Sequence, residues 1–523
     1  MRIAMLAEGG YPYARGEGSA WCDRLVRGLA RHEFEVYALT RTGAHGTLTQ
    51  PPNVTRVRSL RLYGPPPVGG ASRRRGLVLA QYRDLAGVLA GGGESRDRFA
   101  TALYGLAELA RGDRGVPGVL RSEQALGALE DACRGSGGAM GVSDLLIAAD
   151  LLERALRPMS ARWYHPHGEG LARADLCHAV SGGAAVLPGL LAKRFFGTPL
   201  LVTEYGVRLR ETLLAQRAAG LSAPVRALLT AFHRLLAEEA YRQAALITPG
   251  NAHARRWQER GGADRARIRV VYPGMDHARL APAAGSGGGR TLVWVGRMGP
   301  AKDLAGLLQA FAAVRAAEPG ARLRIVGTAE EAGGTEEYPA YCRALAARLF
   351  PGGAGDAVSF GTVGSSETPG LAEAYGSGDV VVLSSMVEGF PVTLVEAMFC
   401  GRATVSTDVG AVREVIGGTG LVVPPRDPAA LAAACLALLR DPERRARLGA
   451  AGRERALELF TVEQNLAAFR DIYLDLVADP AGLASPAEIP IPGHWHADHP
   501  GHRRPAWAHE SACVGAARQE DPA

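Results

Sequence analysis

Short apolar strands alternate with helical segments along most of the chain, and this alternation constrains the fold more than any other feature. Strands that alternate with helices assemble into parallel sheets that carry helices on both faces. The sequence therefore predicts an α/β fold with two facing Rossmann-like domains. The predicted strands cover residues 2–8, 34–40, 54–62, 176–181, 200–204, 245–248 and 270–272 in the first half, and 291–295, 323–327, 358–361, 380–383, 404–407 and 420–423 in the second.

Two stretches interrupt the alternation. Between about residues 63 and 162 the strands stop and helical periodicity takes over, which predicts a helical insertion in the first domain. The stretch 281–289 is rich in Gly, Ala, Pro and Ser and predicts a linker. We expect an N-terminal domain at 1–280, a C-terminal domain at 291–460, a helix at 461–480 that returns to the N-terminal domain, and a disordered tail at 481–523.

Composition narrows the class of protein. The chain has 523 residues, 47% of them hydrophobic and 21% charged, which is ordinary for a globular protein of two or three domains. No apolar run reaches the ~18 residues that a membrane helix needs, and the residues after Met1 predict a strand rather than a signal peptide. Seven cysteines without paired spacing favour the reducing cytoplasm over a disulfide framework or a zinc site.

The charge pattern gives little support to a nucleic-acid partner. The net charge of +6 is spread along the chain, and the longest basic run, Arg73, Arg74 and Arg75, is typical of a solvated loop. We therefore expect no nucleic-acid binding. An anionic membrane surface stays open as an alternative for these arginines, so the expected location is the cytoplasm, with peripheral binding at the inner membrane face as a variant.

Two glutamates follow the apolar strand at 380–383. Glu388 lies just after the strand end, and Glu396 lies eight residues later in the helix that follows a Gly-Phe-Pro turn. Eight residues is a little over two helical turns, so both carboxylates lie toward one side of the helix start. Ligands of open α/β sheets bind in the crevice beyond the carboxyl ends of the strands. Carboxylates beside free backbone N–H groups suit a polyhydroxylated ligand with a phosphate tail.

Two cations follow the first strand of the second half. Arg297 comes directly after Gly296 at the strand end, and Lys302 stands at the start of the next helix. Lysine is rare here, because only Lys193 and Lys302 are lysines among 59 basic residues. A helix N-terminus favours anions, and a guanidinium fork together with a compact ammonium neutralises a diphosphate.

Ordered motifs extend through both halves of the chain. The second half contains Gly296-Arg297, Lys302-Asp303, Phe360-Gly361, the run from Glu388 to Pro391, the run from Glu396 to Met398, and the run from Asp408 to Gly410. The first half contains motifs at residues 8–13, 16–21, 175–181 and 203–206. On these motifs, the second half is similar to family 4 of the retaining GT-B glycosyltransferases, and the first half is similar to the PelF, or DUF3492, type of transferase. The resemblance covers roughly residues 1–478, apart from much of the helical insertion.

The resemblance implies a role for each matching position. Arg297 and Lys302 would grip the diphosphate of a nucleotide-sugar donor, and Glu388 would contact the sugar hydroxyls, which makes these three the candidate catalytic residues. Glu396 would hold the ribose. The full candidate donor site is Gly296, Arg297, Lys302, Glu388, Gly389, Phe390, Pro391, Val392 and Glu396. The candidate acceptor residues are Gly16, Gly18, Ser19, His178 and Tyr205.

The resemblance also implies a reaction. We expect transfer of a hexose with retained configuration, UDP-glucose being the first donor candidate, to a polysaccharide, glycoconjugate or small-molecule acceptor. No Asp-x-Asp motif occurs, so the cations would replace a bound metal, and the nucleotide sugar would be a substrate rather than a cofactor. A peripheral association with a membrane polysaccharide-synthesis complex is a further expectation.

Two positions depart from the family pattern and keep other functions open. Tyr205 stands where PelF-like chains often have histidine, and Glu17 places a carboxylate in the glycine loop. These departures leave open a catalytically weak nucleotide-sugar-binding partner of a polysaccharide-synthesis complex. A sugar-nucleotide epimerase with the same fold is a third alternative, although the two cations and two glutamates favour the transferase.

Overall fold

The structure is a computed structural model that describes residues 1–13, 16–41, 49–65, 71–91, 96–137, 140–164, 170–280, 290–328, 337–351 and 357–478. The predicted linker at 281–289 and the predicted tail at 481–523 lie outside the described residues. The chain divides into two compact units. The first comprises Met1–Gly250, Ala254–Val271 and the last helix from Leu466, and the second comprises Asn251–His253 and Tyr272–Asn465.

The first unit is built on a parallel sheet of six strands in the order β3-β2-β1-β4-β5-β6. The strands are β1 Arg2–Glu8, β2 Glu33–Thr40, β3 Val54–Arg61, β4 Leu176–Ala179, β5 Leu200–Glu204 and β6 Leu246–Pro249. Strands β4, β5 and β6 are buried along their whole length, as expected for a parallel sheet with helices on both faces.

One predicted strand is wrong. Residues 270–272 lie beside β6, and the Val271 N–H donates to the Pro249 carbonyl at 2.9 Å. No ladder forms there, because the chain turns away through Pro273 and Gly274 directly afterwards.

Helices cover both faces of the first sheet. Five of them lie between β3 and β4, where helical periodicity replaced the strand pattern. The helices are α1 Glu17–Gly28, α2 Arg75–Gly91, α3 Arg96–Gly112, α4 Val116–Leu120, α5 Glu123–Gly135, α6 Val142–Leu156, α7 Val186–Phe196, α8 Arg208–Ala218 and α9 Ala223–Gln243, and α10 Ala252–Arg260 begins in the second unit. Short 3₁₀ turns occur at Arg157–Ser160, Arg162–Tyr164, Leu171–Arg173, Arg265–Arg267, His277–Arg279 and Pro300–Lys302.

The second unit repeats the same topology. Its six parallel strands have the order β9-β8-β7-β10-β11-β12. They are β7 Thr291–Gly296, β8 Arg322–Gly327, β9 Val358–Thr362, β10 Val380–Leu383, β11 Ala403–Thr407 and β12 Leu421–Val423. The helices are α11 Leu304–Ala317, α12 Glu337–Leu349, α13 Leu371–Gly376, α14 Val392–Phe399, α15 Val412–Ile416, α16 Pro428–Arg440, α17 Pro442–Leu459 and α18 Val462–Ala478.

Both sheets therefore have the strand order of the dinucleotide-binding fold, with a reversal between β1 and β4 and between β7 and β10. The α/β prediction with two Rossmann-like sheets is confirmed. Ligands of such sheets bind at the point of reversal, which directs attention to the ends of these four strands.

The last helix completes the core of the first unit. Phe469, Ile472 and Tyr473 of α18 are fully buried against residues of β1, β2 and α1. Leu466 occupies the space where a side chain at Gly28 would lie, so α18 packs directly on α1. The six cysteines in the described part of the chain are buried and free. Within that part, every helix is too short or too polar to cross a lipid bilayer.

Candidate active site

Two hydrogen bonds join the loops that follow β7 and β10, the neighbouring strands at the reversal point of the second sheet. The Met386 N–H donates to the Ala301 carbonyl at 2.8 Å. The Ser384 hydroxyl donates to the Lys302 carbonyl, also at 2.8 Å. Because these loops are tied together, Lys302 is held beside Glu388 although 86 residues separate them along the chain.

Lys302 and Glu388 form an ion pair from the ammonium to Oε1. The Ser385 hydroxyl donates to the same carboxylate oxygen at 2.6 Å, and the Thr407 hydroxyl donates to the Ser385 carbonyl at 2.6 Å. The two charged side chains are only 23% and 11% exposed. If one partner of this partly buried pair were removed, the other charge would be left uncompensated. Each side chain therefore helps to hold the other in place.

Arg297 supplies a second cation at the same sheet end. It follows Gly296, whose φ of +154° favours glycine, and it is exposed. Within the described part of the chain, its guanidinium makes no hydrogen bond or ion pair. Asp303 then caps α11 by accepting the Gly306 N–H at 3.1 Å, so Lys302 stands just before a helix N-terminus. A free guanidinium beside a helix start suits a phosphate group.

The turn from Glu388 to Pro391 rests on Gly410. Gly410 has a φ of +59°, and a Cβ there would lie 2.8 Å from the Glu388 carbonyl carbon and 2.9 Å from the Gly389 carbonyl oxygen. The Ala411 N–H donates to the Gly389 carbonyl at 3.2 Å. This close backbone approach explains why the Asp-Val-Gly motif ends in glycine.

The rest of this turn presents backbone donors. Gly389 is exposed and Phe390 is half-buried, and no described group accepts a hydrogen bond from their N–H groups. Pro391 is buried and caps α14, and Val392 is its first residue. The two N–H groups are therefore available to a ligand oxygen.

Glu396 is positioned by a residue that the sequence did not single out. The Tyr375 hydroxyl on α13 donates to Glu396 Oε2 at 2.6 Å. Tyr375 is fully buried, and its burial, together with the neighbouring Glu396, raises the pKa of its hydroxyl well above the ordinary value. The tyrosine therefore remains a hydrogen-bond donor and restricts the orientation of Glu396.

The predicted acceptor residues lie in the first unit in different environments. Gly16 and Gly18 are exposed at the first turn of α1, and Ser19 is buried with its hydroxyl over Gly10. The Tyr205 ring meets Trp21 edge-on, with 4.9 Å between ring centroids. The side chain of Glu17 lies outside the described atoms.

His178 departs from the expected cleft position. It is fully buried, with Nδ1 2.7 Å from the Tyr473 hydroxyl and Nε2 2.6 Å from the Thr203 hydroxyl. Burial lowers the pKa of His178 to about 3. A neutral imidazole with both nitrogens engaged packs in the core of the first unit beside α18, and its role in acceptor binding stays a prediction.

Two other carboxylates lie at strand ends of the first sheet and are outside the predicted site residues. Glu8, at the end of β1, accepts the Ala184 N–H at 2.9 Å and pairs with Arg208 at 2.6 Å. Glu204, at the end of β5, accepts the Tyr241 hydroxyl at 2.6 Å, and burial raises the pKa of its carboxyl. The sequence could have indicated them by their position, because each is the last residue of an apolar strand.

Across the described ranges, no group of three or more His, Cys, Asp or Glu residues could hold a metal ion.

Comparison with known proteins places the chain in a family. Residues 1–266 match the family model described as a domain of unknown function, DUF3492. The chain belongs to the DUF3492 family. Residues 289–441 match the model of the group 1 glycosyl transferases. The two matches follow the division of the chain into an N-terminal and a C-terminal Rossmann-like half.

Curated relatives are glycosyltransferases. The D-inositol 3-phosphate glycosyltransferase of Salinispora tropica is 30% identical over 312 residues, which are 56% of this chain and 62% of that protein. A second protein of this name from Catenulispora acidiphila is 32% identical over 308 residues, which are 56% of this chain and 68% of that protein. The chain thus spans less than two thirds of the length of the Salinispora tropica protein.

Solved structures show the same fold. The sucrose-phosphate synthase of Thermosynechococcus elongatus aligns with a TM-score of 0.56 at 18% identity, covering 91% of this chain and 99% of that one. Anabaena HepE in complex with UDP aligns with a TM-score of 0.55 at 15% identity, covering 90% and 99%. These likenesses confirm the GT-B fold of the DUF3492-family chain.

Proposed function

We propose that this chain is a retaining glycosyltransferase of the PelF-like, family 4 kind. It moves a hexose from a nucleotide-diphosphate sugar, UDP-glucose being the first candidate, to a polysaccharide, glycoconjugate or small-molecule acceptor. The observation that carries the proposal is the Lys302–Glu388 pair at the reversal point of the second sheet. Arg297, at the end of β7, has no hydrogen-bond or ion-pair partner among the described residues. Association with a membrane polysaccharide-synthesis complex is part of the same proposal.

The cations act on the leaving group. When the bond between the sugar and the nucleoside diphosphate breaks, negative charge builds on the β-phosphate. Arg297 offers a fork to two phosphate oxygens and Lys302 offers a point charge, and both are in place before the reaction. Loss of one such preorganised group typically costs about 10²–10³-fold in rate.

The carboxylates hold the two sugars. Glu388 accepts hydrogen bonds from donor-sugar hydroxyls while it keeps Lys302 in place, and the N–H groups of Gly389 and Phe390 reach phosphate or sugar oxygens. Glu396, oriented by Tyr375, accepts the ribose hydroxyls. The acceptor oxygen attacks the anomeric carbon on the face that the diphosphate leaves, and the departing phosphate oxygen takes the acceptor proton.

The comparisons support the donor class. Solved complexes of Anabaena HepE contain UDP and UDP-glucose, and the curated relatives are named as glycosyltransferases. The group 1 match covers the half that holds Lys302 and Glu388. A uridine nucleotide sugar is therefore the first donor to try.

Nucleotide release from UDP-, GDP- and ADP-sugars, with and without candidate acceptors, tests the proposal. We expect Glu388→Gln to lower turnover about 10²–10³-fold, while the exposed Glu373→Gln in the same unit leaves it unchanged. Circular dichroism and thermal unfolding check that both variants fold. Turnover of Glu388→Gln at the wild-type rate would refute the assignment. Donor binding without turnover would favour the binding partner, and inversion at C2 with UDP release would favour the epimerase.

A further inference from the structure

A groove away from the candidate site runs between α8 and α9 of the first unit and encloses about 490 Å³. Its first wall is one face of α8, formed by Arg210, Leu213, Leu214 and Arg217. These positions have the spacing i, i+3, i+4 and i+7, which places them on one side of a helix. The wall therefore carries a cation at each end and two leucines between them.

The second wall is open because its side chains are small. Ala223, Ala227 and Thr230 of α9 line it, and their spacing of i, i+4 and i+7 again marks one helix face. Small residues on α9 opposite leucines on α8 leave a space between the helices that neither helix fills.

The charge of the groove is positive and uncompensated. Arg210 and Arg217 make no hydrogen bond or ion pair with any described residue. The third arginine, Arg226, donates to the Leu221 carbonyl and secures the turn between the helices. The carboxylate of α8, Glu211, pairs with Arg208 instead, and no carboxylate is among the residues that line the groove.

The apolar centre of the groove is accessible. Leu214 is 53% exposed, a large fraction for a leucine on a helix that packs against a neighbour. Seven residues of helix separate Arg210 from Arg217, which is roughly 10 Å at 1.5 Å per residue. An occupant thus meets two positive charges about 10 Å apart with an apolar strip between them.

We propose that this groove binds the surface of a membrane rich in anionic phospholipid, with Arg210 and Arg217 on headgroup phosphates and Leu214 at the start of the acyl region. On one face of α8 two arginines flank the exposed Leu214, so the same side of the helix offers two positive charges and an apolar contact. A bilayer offers phosphates at any spacing, so both cations bind without a partner of defined sequence. This inference does not depend on the proposed transferase activity.

Co-sedimentation of the full chain with vesicles tests the inference. Vesicles of phosphatidylcholine alone are compared with vesicles that also contain phosphatidylglycerol, at low and high salt. We expect binding to the anionic vesicles only, and weakening by salt, since the attraction acts within a Debye length. Arg210→Gln/Arg217→Gln should lower the partition coefficient by about 30-fold, the loss expected for two surface cations. Leu214→Ser should lower it by about threefold through lost apolar contact.

The control removes the same amount of positive charge at a different place on the first unit. Arg73→Gln/Arg74→Gln neutralises two exposed arginines of the longest basic run and should leave binding unchanged. Thermal unfolding verifies that all variants fold, as we expect because Arg210 and Arg217 have no partners among the described residues. The inference is overturned if the groove variant binds like wild type, if the control variant loses binding instead, or if neutral vesicles bind equally well. It is also overturned if an acidic peptide, poly-glutamate, or inorganic phosphate binds in a groove-dependent manner while vesicles do not.

Discussion

Gly410→Ala provides the sharpest test of the turn that presents Glu388. Gly410 has a φ of +59°, so alanine first costs about 1–2 kcal/mol for the left-handed conformation. Its Cβ would then overlap the Glu388 carbonyl oxygen and lie 2.8 Å from the Glu388 carbonyl carbon. Because non-bonded carbons prefer about 3.5–4.0 Å, the turn must retreat by roughly 0.7 Å.

The expected effect on activity follows from that displacement. A shift of about 1 Å in a positioned group costs about 10²-fold in rate, so kcat/KM for nucleotide-sugar turnover should fall by about 30- to 100-fold. Overpacking adds about 1–3 kcal/mol to the loss of stability. The assay combines nucleotide release with differential scanning calorimetry of the purified chain.

Gly418→Ala is the matched control. Gly418 also has a positive φ, +91°, but a Cβ there would have nothing within 4 Å. It should therefore show only the conformational cost, with turnover near that of wild type. Equal stability and equal turnover of the Gly410 and Gly418 variants would refute the reasoning that links residue 410 to the Glu388 turn.

Two further predictions concern buried hydrogen bonds. Tyr375→Phe removes the donor to Glu396, so we expect a stability loss of about 1–3 kcal/mol and a KM for the donor raised more than kcat is lowered; the exposed Tyr341→Phe is the control, and an unchanged KM would contradict the positioning role. In the folded state His178 has a pKa of about 3 and stays neutral above that pH. In the unfolded chain the same histidine takes up a proton near pH 6.5. The free energy of unfolding therefore falls as the pH drops below 6.5. Between pH 7 and 5 the loss from this group is about 2 kcal/mol. Calorimetry at both pH values should show a correspondingly flatter response for His178→Gln, and parallel responses would contradict the buried neutral imidazole.

Several features of the fold were readable from local pattern. Short strand-like runs located all twelve strands within two residues at each end, with one extra strand predicted at 270–272, and the alternation with helices implied parallel sheets. Lys302 and Glu388 were readable as strand-end residues because the loops after strands meet at one edge of a parallel sheet. The error at 270–272 has the same origin, since three apolar residues resemble a strand whether or not a neighbour continues the ladder.

Pairings between distant residues were not readable. Nothing in the local sequence indicates that Tyr375 donates to Glu396, or that Arg208 reaches Glu8 across 200 residues. His178 matched a functional motif, yet its neighbours are Thr203 and Tyr473, which only the packing of α18 brings to it.

The sequence by itself determined the strands, the helices and the residues at the strand ends, because hydrophobic periodicity and turn chemistry act over a few residues. Tertiary structure alone decided which of these residues meet. Lys302 pairs with Glu388 because β7 and β10 are neighbours at the reversal of the sheet, and His178 is buried because a helix from the far end of the chain packs on it. Strand order and helix docking depend on contacts across the whole chain, and a single sequence carries no local record of them.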